Sequence, residues 1–165
     1  MKILVISDSH GDTNAVESIL RRCEGHIDMC VFLGDGVGDA EYALAKFPAL
    51  PRIIVRGNCD AGSFLAQSEY PDEALFEADG VTFLAVHGHR LAVKGGLGTA
   101  VSYAAERGAD VLLYGHTHQR GERRIESARG TVTAINPGSA GRGCERTFAL
   151  VETAGGAVVC GFAEV

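Results

Sequence analysis

The sequence predicts one α/β domain, residues 1–165, with two β-sheets packed face to face and helices outside. Compact domains of this kind mostly have about 100–200 residues. In the first third, short apolar runs alternate with segments of helical apolar spacing, which implies parallel strands joined by right-handed crossovers. The last third is nearly all strand. The 22 glycines cluster where apolar runs stop, which is typical of tight strand-to-loop corners.

The first third predicts three strands and two helices. The strands are Lys2–Ser7, Asp28–Leu33 and Arg52–Val55. The first helix follows Asp12 or Thr13 as N-cap and ends at Gly25. The second helix runs from about Asp39 to Phe47 and ends before Pro48.

The remainder predicts a hairpin, one more helix and further strands. The dipeptide Asp79-Gly80 is a strong hairpin signal between two apolar runs. A helix from about Thr99 to Arg107 then ends at Gly108. The predicted strands are Ala74–Ala78, Val81–Val86, Asp110–Tyr114, Gly121–Ser127, Thr131–Ile135, Thr147–Glu152 and Val158–Ala163.

Charge and composition exclude several classes of protein. The chain has 21 acidic residues against 15 Lys and Arg, a net charge of −6, which argues against general nucleic-acid or anionic-membrane binding. Five cysteines without a CxxC pair predict neither a disulfide framework nor a zinc cage. No stretch approaches the ~20 apolar residues of a membrane span. The apolar start is too short for a signal peptide, so a cytoplasmic location is expected.

Residues of metal-binding type follow five predicted strands, at the point where each strand ends. They are Asp8 and His10 in DSH, Asp35 in GD, Asn58 in GN, His87 in HG, and His116 and His118 in GHTH. Ligands of open α/β sheets bind in the crevice beyond the carboxyl ends of the strands. Five loops are therefore expected to deliver carboxylate, amide and imidazole groups to one edge.

Each motif alone also has a purely structural explanation. An Asp two residues before a His is often a helix cap, and GD and GN are common turns. His87 and His89 stand two residues apart on an extended segment, so they should face opposite ways and only one could be a ligand. The five motifs together, in this order, favour a metal site.

The predicted ligands indicate two divalent ions. Oxygen and nitrogen ligands without thiolate suit Mn, Fe, Ni, Zn or Co, and manganese is the first choice here. Seven ligands are too many for one ion and suit two ions that share a bridge. A hydroxide that bridges two such metals serves phosphate ester hydrolysis well.

The same motifs resemble the calcineurin-like metallophosphoesterase superfamily. In its chain length, its GNCD motif and its Asn136-Pro137-Gly138-Ser139 segment, the sequence resembles the small bacterial and archaeal phosphodiesterase branch of that superfamily. The resemblance implies a four-layer α/β/β/α sandwich of two mixed β-sheets, with the turn at 136–139 bordering the site. It also implies one metal held by Asp8, His10, Asp35 and His118 and another held by Asp35, Asn58, His87 and His116.

One position departs from the family pattern. Much of the superfamily has a histidine directly after the GN, paired with an acidic residue, to protonate the leaving oxygen. Here Cys59 occupies that position and Asp60 follows, so these two are the candidate catalytic residues. A thiol with a pKa of about 8.5 is a poor substitute for imidazolium, which favours diesters with activated alcohols. Cys59 could be an acid, could set the shape of the site or could be merely tolerated there, and a residue that sets the shape is favoured.

Two rival functions remain open on the sequence alone. A phosphomonoesterase or a nucleotide pyrophosphohydrolase would use the same metal pair. A non-catalytic interaction scaffold of this fold is the other alternative, and the seven ligand-competent residues count against it. The expected partner is a small phosphodiester or nucleotide-like substrate, with no membrane involved. The sequence specifies no oligomeric state.

Overall fold

The structure, a computed structural model, describes residues 1–62 and 70–165. In chain order its elements are β1 (Lys2–Ile6), α1 (Thr13–Cys23), β2 (Met29–Phe32), α2 (Val37–Leu44), β3 (Arg52–Ile54), β4 (Glu73–Ala78), β5 (Val81–Val86), α3 (Gly98–Glu106), β6 (Val111–Tyr114), β7 (Gly121–Ser127), β8 (Gly130–Asn136), β9 (Thr147–Ala154) and β10 (Ala157–Glu164). Single 3₁₀ turns occupy Cys59–Gly62, His89–Leu91 and Val93–Gly95.

The strands form two mixed sheets, as predicted. The first sheet has the order β10-β9-β1-β2-β3, and the second has the order β4-β5-β6-β8-β7. Strands β1, β2 and β3 run parallel, and so do β5, β6 and β8. The hairpin partners β4, β7, β9 and β10 complete the sheets by antiparallel pairing. Crossover helices in the first third explain the parallel order.

The alternation of side chains along the strands divides the core into three apolar layers. In β1, Leu4 and Ile6 pack with helices α1 and α2. Ile3 and Val5, which point the other way, pack with Phe83 of the second sheet. A third layer lies between the second sheet and α3, around residues such as Ala104. This arrangement confirms the four-layer α/β/β/α sandwich.

Local signals set most element boundaries, with one exception in α2. Asp12 is the N-cap of α1, since its Oδ1 accepts from the Ala15 amide at 3.0 Å. The two residues of the Asp79-Gly80 turn have positive φ, as a type I′ hairpin requires. Helix α2, however, begins at Val37, two residues before the predicted Asp39. Its first amides donate to the distant carboxylate of Asp60, a cap that no local pattern reveals.

Within residues 1–62 and 70–165, no helix is long and apolar enough to cross a membrane.

Candidate metal centre

The loops after β1, β2, β3, β5 and β6 meet at one edge of the sandwich. The predicted metal ligands converge there in groups whose candidate ligand atoms all lie within 4.8 Å of one another. One group holds Asp8, His10 and His118, another holds Asp35, His87 and His116, and a third holds His10, Asp35 and Cys59. The first two groups are subsets of the two ligand sets that the family resemblance implies.

Asp8 presents one carboxylate oxygen to this cluster without a hydrogen-bond partner. Its Oδ2 accepts from the Ser7 hydroxyl at 2.6 Å and from the His116 amide at 3.0 Å. Its Oδ1 is buried and has no hydrogen-bond partner among the residues that the structure describes. That oxygen faces Nε2 of His118 at 3.1 Å and Nε2 of His10 at 3.6 Å. A buried, unpartnered carboxylate oxygen is costly unless a cation binds it.

His10 and His118 direct the same ring nitrogen at each other. Their Nε2 atoms are 3.1 Å apart, and the rings meet edge to face. One carboxylate oxygen with the Nε2 atoms of two imidazoles beside it is a donor set that suits a divalent cation. Burial and the positive charge of Arg142 lower the pKa of His10, which favours the neutral form that binds metal.

Asp35 lies between the two ligand groups. Its Oδ1 accepts from the Cys59 amide at 2.7 Å, while its Oδ2 lies 3.4 Å from His87 Nε2 and 3.9 Å from His10 Nε2. Burial opposes ionisation of Asp35, but the hydrogen bond with His87 and its charge hold the pKa well below its usual range. The carboxylate therefore stays charged and faces residues of both groups, as a bridging ligand must.

His87 is oriented by a backbone carbonyl. Its Nδ1–H donates to the Leu33 oxygen at 2.8 Å, so Nε2 is the nitrogen that faces the cluster. That Nε2 lies 3.2 Å from Oδ1 of Asn58, another predicted ligand. Burial lowers the pKa of His87, but the neighbouring Asp35 and Asp8 carboxylates outweigh it and raise the pKa. The pKa of His116 is lowered by burial, by His87 and by Lys94.

The ligand loops adopt a backbone conformation that side chains disfavour. Within the described chain, seven non-glycine residues have positive φ, and five of them are predicted ligands: Asp8, His10, Asp35, His116 and His118. A left-handed conformation costs a non-glycine residue roughly 1–2 kcal/mol. Strain of this kind collects at functional sites, where the surrounding structure enforces it. The unpartnered oxygen, the facing imidazoles and this strain all fit residues arranged to hold cations.

Glycines let these strained loops approach one another closely. A Cβ on Gly57 would lie 2.2 Å from Oδ1 of Asp35 and 2.5 Å from its backbone nitrogen. A Cβ on Gly115 would lie 2.0 Å from the Ser7 hydroxyl and 2.8 Å from Oδ2 of Asp8. The close approach of the Asp35 backbone and side chain therefore requires a glycine in the GN motif, and the side chains of Ser7 and Asp8 require one in the GHTH motif.

The variant Gly57→Ala is expected to lower the free energy of unfolding by about 1–3 kcal/mol, because the added methyl group must push the Asp35 loop away. Metal affinity should fall with it. Chemical denaturation and metal titration measure the two effects. The control is Gly38→Ala in α2, where an added Cβ meets nothing within 4 Å and alanine favours the helix. Equal stability of the two variants would contradict the close approach.

Cys59 and Asp60 take different places in the site. Cys59 is exposed, and its Sγ accepts from the side-chain Nδ2 of Asn58 at 3.3 Å. Burial and the hydrogen bond with Asp35 raise the pKa of its thiol to about 11, which makes it a weak acid. Asp60 is buried, and its two oxygens accept from the amides of Asp35, Gly36, Val37 and Gly57. These contacts hold the GD and GN loops together through both carboxylate oxygens of Asp60, and its candidate catalytic role stays a prediction.

The turn at Asn136–Ser139 holds the first and last ligand loops, as its predicted place at the border of the site suggests. Nδ2 of Asn136 donates to the Gly115 carbonyl at 2.9 Å and to Thr117 Oγ1 at 3.1 Å. The Ser139 hydroxyl donates to the Asp8 carbonyl at 2.7 Å. The turn therefore positions two loops whose residues lie more than 100 positions apart in the chain.

The expected orientation of His89 was wrong, although only His87 of the two lies in a ligand group, and Arg142 was not among the predicted site residues. Gly88 has a φ of 104°, so the chain turns back and the His89 ring lies 5.4 Å from that of His87 instead of facing away. Nδ1 of His89 is buried without a hydrogen-bond partner in the described structure. Arg142 follows the Asn136–Ser139 turn, and its charge acts on His10 and Cys59. No local motif in the sequence indicates this effect of Arg142.

A two-sheet α/β sandwich with carboxylates and imidazoles clustered at its carboxyl edge is the architecture of a metal-dependent phosphoester hydrolase. Residues 1–156 match the calcineurin-like phosphoesterase superfamily domain, and the chain belongs to that superfamily. This confirms the predicted family and enzyme class. The roles of the individual ligands stay predictions.

Three known proteins are similar to this chain. Probable metallophosphoesterase YsnB of Bacillus subtilis is 38% identical over 141 residues, which cover 84% of this chain and 75% of YsnB. Phosphodiesterase YfcE of Escherichia coli is 29% identical over 156 residues, covering 84% and 79%. A crystal structure from Streptococcus pneumoniae, described as a predicted phosphoesterase, has a TM-score of 0.78 at 27% identity and covers 99% of this chain and 88% of its own.

Proposed function

We propose that this protein hydrolyses phosphate diesters at a centre of two divalent metal ions, with manganese as the first candidate. The observation that carries the proposal is the pair of ligand groups, each with a carboxylate and two imidazoles. Asp35, the carboxylate of the second group, also faces His10 of the first. Two divalent cations there would supply the Lewis acidity that activates water and neutralises phosphoryl charge. The name of the relative YfcE supports the choice of diesters.

The residues around the cluster have distinct tasks in this proposal. Asp8, His10 and His118 would hold one ion, and Asn58, His87 and His116 the other, with Asp35 shared. Leu33 fixes the tautomer of His87, and Asp60 holds the loop that carries Asp35. The substrate would be a small phosphodiester or nucleotide-like molecule, met in the cytoplasm.

The weak acidity of the Cys59 thiol favours diesters over monoesters as substrates. A thiol with a pKa of about 11 protonates a leaving alkoxide poorly at neutral pH. Leaving groups that need little protonation, such as activated alcohols of diesters, are therefore favoured. The short contacts of Cys59 with Asn58 and Asp35 are consistent with a residue that sets the shape of the site.

Chelation and reconstitution test the proposal directly. Chelated protein receives Mn²⁺, Ni²⁺, Zn²⁺ or Mg²⁺ in turn, and hydrolysis of bis(p-nitrophenyl) phosphate is compared with that of p-nitrophenyl phosphate. We expect diester turnover only with added metal, a higher rate on the diester, and two ions per chain by mass spectrometry. A faster monoester reaction would instead indicate a phosphomonoesterase. A folded, metal-free protein that is inactive with every metal would favour the scaffold.

A further inference from the structure

A cleft lined by none of the predicted metal ligands opens beside the loop that carries His116 and His118. It encloses about 520 Å³ between the 3₁₀ turn at Val93–Gly95 and the segment that leads into β7. Its polar lining residues are Lys94, Tyr114, Thr117, Gln119, Arg120 and Arg123.

The cleft is positively charged on a protein that is negative overall. Its lining contains one lysine and two arginines, and no carboxylate among the residues that the structure describes. The whole chain carries a net charge of −6, so the cleft has the opposite charge to the protein as a whole. Arg120 already has an ion-pair partner, because its guanidinium lies 3.5 Å from the carboxylate of exposed Glu145. The side chains of Lys94 and Arg123 form no ion pair within the described chain, which leaves both charges for a ligand.

The cleft is continuous with a metal-binding loop. Thr117, which lines it, stands between the predicted ligands His116 and His118. Its hydroxyl is held by Asn136 Nδ2 at 3.1 Å, so the loop is fixed between cleft and cluster. Cleft and ligand cluster therefore share the loop at residues 116–118, with Thr117 on the side of the cleft.

We propose that this cleft binds a second anionic group of the substrate, so that the enzyme prefers phosphodiesters that carry an additional phosphate. The inference rests on the proposed diesterase function and adds a substrate class to it. Ammonium and guanidinium groups without other partners form charge-assisted hydrogen bonds with phosphate oxygens. The substrate class would then be nucleotide-like molecules that carry the scissile phosphodiester at one end of a sugar or linker and a second phosphate at the other end.

Two chromogenic nucleotides that differ only by one phosphate test the inference. They are thymidine 5′-(p-nitrophenyl phosphate) and its 3′-phosphorylated form. With Mn²⁺-loaded protein we expect about tenfold higher kcat/KM for the 3′-phosphorylated form, as charge-assisted contacts allow. The double variant Lys94→Gln with Arg123→Gln should reduce this preference to within about twofold. Because the cleft is open to solvent, 0.5 M NaCl should weaken the preference of the native protein too.

The control is Arg129→Gln, an exposed arginine in the turn between β7 and β8, at the far end of the hairpin from the cleft. This variant should keep the native preference. Equal kcat/KM for the two nucleotides in the native protein, or an undiminished preference in the double variant, would overturn the inference.

A binding experiment separates failure of this inference from failure of the proposed function. Calorimetry compares thymidine 3′,5′-bisphosphate with thymidine 5′-monophosphate on Mn²⁺-loaded protein. Tighter binding of the bisphosphate in the native protein, lost in the double variant, supports the cleft even if no diester is hydrolysed. Active diesterase with equal affinity for both nucleotides overturns the cleft and leaves the proposed function intact.

Discussion

The variant Asp35→Asn is expected to lose both metal ions and diester hydrolysis together. The amide keeps an oxygen that can accept from the Cys59 amide, but it removes the charge between the two ligand groups. Loss of a residue that merely orients a ligand costs about 10–100-fold in metal affinity or activity, so loss of the shared carboxylate should exceed about 100-fold in kcat/KM. Mass spectrometry of the dialysed variant measures the metal content, and bis(p-nitrophenyl) phosphate measures the activity.

Asp28→Asn is the matched control for this substitution. Asp28 is exposed and accepts from the Lys2 amide, at the opposite end of β2 from the metal centre. The control should keep two ions and native activity. Circular dichroism of both variants verifies that they are folded. Native diester turnover by an Asp35→Asn protein that holds no metal would refute the metal-centred mechanism.

The variant Cys59→His is expected to raise monoester hydrolysis relative to diester hydrolysis. Imidazolium at this position would protonate an alkyl leaving group, and a positioned general acid contributes typically 10²–10⁴-fold. The exposed position of Cys59 beside Asn58 leaves room at the surface for the larger ring. We expect the ratio of kcat/KM for an alkyl monoester, glycerol 2-phosphate, to that for bis(p-nitrophenyl) phosphate, whose leaving group needs little protonation, to rise by about tenfold or more.

The pH dependence of monoester hydrolysis by Cys59→His shows whether the added imidazole acts as an acid. An added imidazolium donates only while protonated, so the gain in monoesterase activity should be present below a pH of about 6.5 and decline above it. Cys59→Ser removes the thiol without adding an acid and should leave the ratio unchanged. An unchanged ratio in Cys59→His, with full metal content, would count against the explanation of why this chain favours diesters.

Much of the fold follows from local pattern. The run of apolar strands and helices predicts β1, β2 and β3 as parallel neighbours, and Asp79-Gly80 predicts its hairpin because both residues tolerate positive φ. The start of α2 does not follow from pattern. Its cap is Asp60, which reaches the helix only after the chain has folded.

The site shows the same division between local and distant causes. The ligand types after successive strands predict the cluster, because parallel strands bring their carboxyl ends to one edge. The direction in which the His89 side chain points depends on the positive φ of Gly88. The two-residue spacing between His87 and His89 does not reveal that backbone angle. The contact of Ser139 with Asp8 joins residues 131 positions apart, so no sequence window contains it. The contacts of Asp60 with the amides of residues 35–37, which lie 23–25 positions away, were missed for the same reason.

The position of β1 has a consequence for how the protein is made. Strand β1 leads directly to Asp8 and His10, yet its neighbour on one side, β9, is synthesised only after residue 146. A chain that stops before that point contains all seven predicted ligands but lacks the strand beside the first of them. The metal centre is thus completed late in synthesis, by contacts of high sequence separation that form slowly. We therefore expect a chain truncated before β9 to bind metal more weakly than the full chain does.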